Sequence, residues 1–290
     1  MRICPSCNKK FSGNDFRCPT CSFCPEIRDE VPMFAPEMAF ENDGFGVSDY
    51  ETFVDMGKNY FWFKQRNRLI SFLLKKYFQG AESFCEIGVS SGNVLVALKS
   101  VCPGLKYYGS EIYLEPLAKA KSKIPDCSFF QADLCAFPFE EEFSVVGAFD
   151  VLEHITDDQK AMDNIYRAVK PGGGAIITVP QHQFLWSPRD EKYFHKRRYS
   201  RAAFIELASR SGFRICRLTS FISFLLPMVL MSRIKMKIIN KDFEKIIDKE
   251  HEISTIQNYI LNAICSLEVS LGKFGLSYPA GGSLVAVLKK

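Results

Sequence analysis

Apolar and polar positions follow two rhythms along most of this chain. From Phe84 onward, short apolar runs of strand length alternate with stretches whose apolar residues recur at three and four. FCEIG predicts a first strand and VLVALKSV its helix. KYYGSEI predicts a second strand and LEPLAKAKSKI its helix, and CSFFQAD a third strand. SVVGAFDVL predicts a fourth, with DDQKAMDNIYRAV as the helix after it, and GGAIITVP a fifth. SRAAFIELASRSG is a helix capped by Ser200 and stopped by Gly212, and FRICRLTSF a sixth strand. SLVAVLKK, Ser283 to Lys290, is the last apolar alternation. A further helix, Tyr60 to Phe78, precedes the first strand; Trp62 and the Arg66/Arg68 pair stand at its start. That pair reads either as solvated arginines on a packing helix or as a lid over a ligand carboxylate. The order of elements predicts an α/β fold: a doubly wound, mostly parallel sheet with helices on both faces. Ligands in such sheets sit beyond the C-terminal strand ends, at the switch point beside strand one. Gly88, Glu111, Asp133 and Asp150 each end or follow a strand.

Residues 1–26 break the rhythm. They are polar and too few to bury a core of their own. Cys4-x2-Cys7 and Cys18-x2-Cys21 have the spacing of a four-thiolate zinc site, in which Zn2+ binding supplies folding energy that a small core cannot. Cys24 forms a second CxxC with Cys21; the reading adopted here takes Cys4, Cys7, Cys18 and Cys21 as a zinc-ribbon-like set. Residues 27–59, with Pro32 and Pro36 and an acidic, Gly-bearing stretch, read as a linker. Residues 60–290 then form the α/β domain, with 221–282 as a helical apolar insertion before the last strand.

Composition narrows the classes. The chain has 290 residues, 47% hydrophobic and 24% charged, which suits a globular protein rather than pervasive disorder. A net charge of +4 without a basic tail argues against a nucleic-acid partner. Eleven cysteines, five within the first 24 residues, and an N-terminus without a secretory pattern predict a reducing, cytoplasmic setting.

The chemistry concentrates at Gly88-Val89-Ser90-Ser91-Gly92. A Gly-rich turn between a strand and a helix lets a ligand approach the backbone at a helix N-terminus. Glu111, closing strand two, is placed to grip ribose hydroxyls of either a dinucleotide such as NAD or S-adenosylmethionine. Three features favour S-adenosylmethionine. Ser90 stands where a pyrophosphate fingerprint needs glycine, and fits if its φ stays negative. Gln131-Ala132-Asp133-Leu134 brings a carboxylate near an adenine amine. FDVLEHI is followed, one helix later, by VKPGGGAIITVP.

EIGVSSGN, the acid of GSEI, ADL, FDVLEHI and KPGGGAIITVP stand in the order and spacing of a known family. From Tyr60 to Lys290 the chain resembles the class I S-adenosylmethionine-dependent methyltransferases. The resemblance implies a seven-stranded Rossmann-like sheet, with SLVAVLKK antiparallel between strands five and six. It implies that Glu86, Gly88 and Gly92 shape the methionine end and that Glu111 holds the ribose. Ile112 would then pack on adenine, Asp133 would accept from its amine with Leu134 alongside, and Asp150 would complete the pocket. The plain alternative for Asp133 and Asp150 is loop capping.

Acceptor candidates cluster after strands four and five. His154, His195 and Tyr199 are candidate catalytic groups, with His182 also within reach; histidine suits a general base near neutral pH. Asp150-x-x-Glu153-His154 also resembles the metal-binding pattern of some ubiquinone-biosynthesis and small-RNA methyltransferases, although many relatives with VLEH bind no metal. The long 180–200 loop resembles a W-S-x-x-D…H-x-R-R-Y loop of one methyltransferase subgroup. Trp186, Arg197 and Arg198 would there bind the acceptor, the arginines through a phosphate or carboxylate; the alternative is a solvated basic loop. In the insertion, SFISFLLPMVLM is too short to span a bilayer. With the basic RIKMKIINK it reads as an interfacial membrane helix or a cap over an apolar substrate. A hairpin packed on the domain or on a second subunit is the other reading. The expected activity is O- or N-directed methyl transfer to a small-molecule or lipid/glycan-linked acceptor. An NAD-type oxidoreductase and a non-catalytic S-adenosylmethionine-binding adaptor are the competing readings.

Overall fold

The computed structural model describes residues 1–13, 16–39, 60–238 and 253–290, with side chains up to 236 in the third stretch. A ribbon of two short strands, β1 (Arg2–Ile3) and β2 (Lys10–Phe11), opens the chain. The main sheet contains β3 (Glu26–Arg28), β4 (Val31–Met33), β5 (Ser83–Ile87), β6 (Lys106–Glu111) and β7 (Ser128–Gln131). It continues with β8 (Phe143–Phe149), β9 (Val169–Pro180), β10 (Arg214–Phe221) and β11 (Ser283–Lys289). Their order across the sheet is β10-β11-β9-β8-β5-β6-β7-β4-β3. Strands β5 to β9 are parallel, and β11 runs antiparallel between β9 and β10. The chain winds to one side of β5 through β6 and β7, then to the other through β8 and β9. The reversal leaves the crevice between β5 and β8 as the ligand position.

The helices are α1 (Phe61–Tyr77), α2 (Asn93–Val101), α3 (Leu114–Lys123), α4 (Asp158–Ala168), α5 (Pro188–Lys192), α6 (Arg201–Arg210), α7 (Leu226–Ile238) and α8 (Thr255–Lys273). Two cores lie on opposite faces of the sheet. One joins Leu73 and Leu74 of α1, Leu95 and Leu98 of α2, Leu117 of α3 and Cys265 of α8 to Phe84 and Val145. The other joins Met162 and Ile165 of α4 and Phe204 of α6 to Phe137, Phe143 and Ile177. Alternate residues of buried strands serve alternate faces, so Phe84 and Cys85 divide between the two.

One expectation changes, and one open choice narrows. The stretch read as linker, 27–59, is structured over its described part, because β3 and β4 form a hairpin and β4 continues the sheet beside β7. Residues 40–59 lie outside the described residues. Side-chain chemistry holds the hairpin in place. Gln131 Nε2 donates to Ala35 O at 2.6 Å, and Gln131 Oε1 accepts from Ala35 N at 3.0 Å. Phe34 meets Phe16, Phe130 and Phe139 edge-on, at centroid distances of 5.3, 6.3 and 5.9 Å. The prolines that suggested a linker do not forbid a strand at a sheet margin. The N-terminal segment is seated too: Ile3 N donates to Pro138 O at 3.0 Å, and Lys10 pairs with Glu140 at 2.7 Å.

The insertion is the second case. α8 is zipped to α1 by polar groups four residues apart: Asn258, Asn262, Ser266 and Ser270. Asn258 Oδ1 accepts from Phe61 N (2.8 Å) and Asn262 Oδ1 from Gln65 Nε2 (2.8 Å); Ser266 and Ser270 accept from Arg68 (2.7 and 3.3 Å). This favours the packed reading for α8, while Ile256, Tyr259, Ile260, Leu267 and Phe274 stay exposed. Residues 239–252 of the insertion lie outside the described residues. No helix among the described residues is long and apolar enough to cross a membrane.

Gln131→Leu removes every side-chain partner of Ala35 while keeping the shape. The expected loss is about 1–3 kcal/mol, the usual cost of orphaned buried groups, read as a lower urea midpoint at unchanged slope.

Candidate active site

The turn after β5 is built from left-handed residues: Gly88 at φ 68°, Ser90 at 45° and Gly92 at 77°. A Cβ on Gly88 would stand 2.5 Å from Val151 Cγ2, so both backbone angle and space demand glycine there. Ser90 departs from the expected negative φ. Its amide donates to Glu111 Oε2 at 2.9 Å, and this bond holds the serine in a conformation it would not choose alone. Glu111 Oε1 accepts from Ile112 N at 2.8 Å. One carboxylate thus fastens the end of β6 to the turn after β5. α2 starts at Asn93 with no side-chain cap on its first turn, which leaves its amides directed toward the crevice end.

Acids ring this turn. Glu86 is buried, and its Oε2 has no hydrogen-bond partner among the described residues. Burial pushes its pKa well above the ordinary value, Arg66 pulls it back and Glu111 adds to the rise. Arg66 Nη1 donates to Asp150 Oδ2 at 2.5 Å, its guanidinium lies 4.4 Å from the Trp62 ring centroid, and its Nε is also unpartnered. Arg66 therefore serves the crevice and Arg68 the α1–α8 zipper. Asp133 Oδ1 caps the turn after β7 by accepting from Cys135 N at 2.8 Å; Leu134 beside it is buried, and Ile112 is half-buried. The structure therefore brings Glu86, Gly88, Gly92, Glu111, Ile112, Asp133, Leu134 and Asp150 to neighbouring strand ends.

The 180–200 loop folds back on itself. Tyr199 N donates to Pro180 O (2.9 Å) and His182 N to Tyr199 O (3.0 Å), which closes its base. Asp190, fully buried, is its centre: it accepts from Ser187 N (2.9 Å), His195 Nδ1 (2.9 Å) and Arg198 Nε (2.7 Å). Burial alone would raise its pKa, but His195 and Arg198 hold it far below the carboxylate range. Lys196 N donates to Glu153 O at 2.7 Å and brings His195 against the turn after β8. There the His154 and His195 rings meet edge to face at 4.8 Å. Burial and His195 hold His154 down at about 3. Glu153, neighbour to both, is 1% exposed.

Other loop residues have structural partners. Tyr199 is buried, and its hydroxyl donates to Asp158 Oδ2 at 2.8 Å; burial and that bond raise its pKa, a placement suited to pinning the loop base rather than to proton transfer. Arg198 is committed to Asp190, and Arg197 pairs with Asp158 at 2.6 Å, so neither is a free anion clamp. Trp186 is half-buried, with Nε1 donating to Glu191 Oε1 at 3.2 Å. Sequence reasoning passed over Asp190 as the organiser of the loop. Its capping-box position, three residues after Ser187, was the available signal.

In the N-terminal ribbon the thiols of Cys4, Cys7, Cys18 and Cys21 lie within 4.8 Å of one another; Cys24 is exposed and not part of that set. Cys4 Sγ and Cys21 Sγ are 3.5 Å apart, Cys7 Sγ and Cys18 Sγ 3.7 Å. Desolvation works against a Cys18 thiolate, yet the Cys21 and Thr20 amides and the adjoining thiols pull its pKa down to about 6.

A family profile described as "Methyltransferase domain" matches residues 85–177. A carboxy-S-adenosyl-L-methionine synthase of Campylobacter jejuni is 30% identical over 158 residues, 52% of this chain and 66% of that protein. A demethylmenaquinone methyltransferase of Thermus thermophilus is 26% identical over 122 residues, 39% of this chain and 52% of that one. The chain thus spans less than two thirds of the curated relatives it matches. Among solved structures, Haemonchus contortus phosphoethanolamine N-methyltransferase 2 bound to S-adenosyl-L-methionine superposes with a TM-score of 0.55 at 20% identity, over 84% of this chain and 57% of that one. A Thermotoga maritima SAM-dependent methyltransferase gives 0.53 at 17%, over 84% and 96%. At these identities the structural likeness speaks for the fold.

Asp190→Ala leaves Arg198 and His195 without their buried partner. Breaking such a pair costs about 3–5 kcal/mol. The variant is expected to melt earlier and to be cut by protease within 181–199 before the rest of the chain unfolds.

Proposed function

From a methyltransferase domain carried on the Rossmann-like methyltransferase fold, we propose that this chain moves the methyl group of S-adenosylmethionine to a small-molecule acceptor with an oxygen or nitrogen nucleophile. The observation that carries the reading is the set at the switch point: the left-handed Gly88–Gly92 turn after β5, Glu111 at the end of β6, Asp133 after β7 and Asp150 after β8. Glu86 Oε2 and Arg66 Nε are buried there without a hydrogen-bond partner among the described residues, one suited to the ammonium and the other to the carboxylate of a methionine. Glu111 already accepts two amide bonds, but a carboxylate offers about four lone-pair sites, enough for ribose hydroxyls as well. Asp133 keeps Oδ2 for the adenine amine, between Ile112 and Leu134. The curated relatives carry different activities in their names, which fits a shared cosubstrate half and divergent acceptor halves.

A sulfonium is an activated donor, so the protein's task is to align the nucleophile in line with the methyl and to exclude water. Glu153, His154 and His195 form the polar group on the acceptor side and receive the task of easing proton loss from the acceptor. Exposed Met228, Met231 and Ile234 of α7, with Ile256 and Tyr259 of α8, favour an acceptor bearing an apolar part such as a lipid-linked glycan.

The cysteine cluster fits a structural Zn2+. Four sulfurs at 2.3 Å around zinc stand about 3.8 Å apart, close to the separations found. The ribbon would hold the ion and lock the N-terminal segment against Pro138 and Glu140.

Titration calorimetry with S-adenosylmethionine tests the main reading. The parent is expected to bind it and to ignore NAD, and Glu111→Ala and Asp133→Ala each to bind about 10–100-fold more weakly, the worth of a charged hydrogen bond. Equal affinity in all three proteins would exclude the proposed pocket. For the ribbon, Cys18→Ser should purify without the thiolate-bound zinc of the parent. It should also melt earlier, because metal binding here is folding energy.

A further inference from the structure

A cavity of about 820 Å3 opens between α1, α2, the end of α3 and the end of α8. None of Glu86, Gly88, Glu111, Asp133 or Asp150 lines it, so it is separate from the crevice. Five cations surround it: Lys64, Arg68 and Lys75 of α1, Lys123 of α3 and Lys273 of α8. No acid is among its described lining residues. The bias runs through two whole helices. α1 and α2 carry Lys64, Arg66, Arg68, Lys75, Lys76 and Lys99, and neither has an Asp or a Glu. The acid of α8, Glu268, is fully buried and accepts from the Phe224 amide at 2.9 Å. Arg66 and Lys99 are matched by Asp150 and Asp126. The cavity's own cations have no such match. Lys64, Lys75 and Lys273 form no ion pair among the described residues. Arg68 is held by the neutral Gln65, Ser266 and Ser270, and Lys123 donates to Asn93 Oδ1 at 2.9 Å.

Like charges gathered without a counter-charge repel one another, and partial burial sharpens the repulsion. Burial and the neighbouring Arg68 hold the Lys273 amine below its ordinary pKa. An anion entering the cavity relieves both effects. Its wall also has an apolar part. Lys64, Arg68, Phe72 and Lys75 share one face of α1 by their spacing of four, four and three. Phe72 and Val96 of α2 face the same space, and Lys273 Nζ lies over the Phe72 ring, 5.6 Å from its centroid. Cations converging from several helices suit a group with several charged oxygens better than a lone carboxylate. A terminal phosphate offers three acceptor oxygens and nearly two charges at neutral pH. We propose that this cavity binds a phosphate monoester, its phosphate among Arg68, Lys75 and Lys273 and its organic part along Phe72 and Val96. The ester is a soluble metabolite or a lipid headgroup; the phosphate is the chemistry they share. No residue of the cosubstrate crevice takes part, so the site stands independently of the methyl-transfer reading.

Two matched probes test it on the full-length chain at physiological ionic strength. Glycerol 3-phosphate is titrated calorimetrically, and vesicles of phosphatidylcholine doped with phosphatidic acid are used in co-sedimentation. Both present a phosphate monoester, one free and one on a lipid surface; glycerol and pure phosphatidylcholine vesicles are the blanks. The parent should bind at least one probe saturably. Lys75→Gln and Lys273→Gln should each weaken that binding about 10-fold, the worth of one charge-assisted bond. Lys160→Gln makes the same charge change at an exposed position of α4, which packs on the opposite face of the sheet, and should stay within about twofold of the parent. Circular dichroism verifies that each variant is folded. A calorimetric response assigns the site to soluble esters, and a response to the doped vesicles alone assigns it to lipid headgroups. No saturable binding of either probe, or equal weakening in all three variants, would overturn the site. An S-adenosylmethionine titration of the same parent reports on the methyl-transfer reading separately, and its failure leaves the phosphate site standing.

Discussion

Everything at the crevice hangs on the bond between the Glu111 carboxylate and the Ser90 amide. Left-handed backbone costs an ordinary residue about 1–2 kcal/mol, and Ser90 lies between two glycines that are also left-handed. A hydrogen bond to a charged acceptor contributes about 1.5–3 kcal/mol, enough to hold the serine there. The same carboxylate takes the Ile112 amide, so the turn after β5 and the end of β6 move as one piece. A ligand entering the crevice therefore meets a preformed shape and loses little in ordering it.

The acceptor side sets two buried carboxylates side by side with opposite fates. Asp190 is fully partnered by Ser187, His195 and Arg198, and so acts as a polar rivet beside the buried Leu185, Tyr193 and Tyr199 of its loop. Glu153 has none among the described residues, and burial with the nearby Asp150 drives it toward the neutral form. Proteins seldom keep an unsatisfied buried acid in a position of pure packing. That contrast, more than the histidines, sets the turn after β8 apart from a position of pure packing.

Much of this was legible in the residues because it is local. The parallel strands β5 to β9 and the antiparallel β11 each carry an apolar run long enough to show its period, and the acids that line the crevice follow those runs directly. What escaped depends on partners distant in the chain. β3 and β4 have three residues each, too few for any period, and their anchor Gln131 lies 96 positions from Ala35. Arg197 and Arg198 look like an anion clamp until Asp158 and Asp190 are found to occupy them. The polar residues of α8 recur at every fourth position, but only the structure shows Gln65 and Arg68 opposite them. Ser90 was misjudged because local preference was weighed without the carboxylate 21 residues on.

The hairpin at the far end of the sheet has a role beyond geometry. Without β4, the backbone of β7 would offer a ladder of bare donors and acceptors to any other chain, the template from which strand-by-strand aggregation grows. With it, the outermost strand is β3, three exposed residues long and carrying Glu26 and Arg28. A strand so short and so charged is a poor template, so the hairpin leaves this edge of the sheet with little to offer another chain.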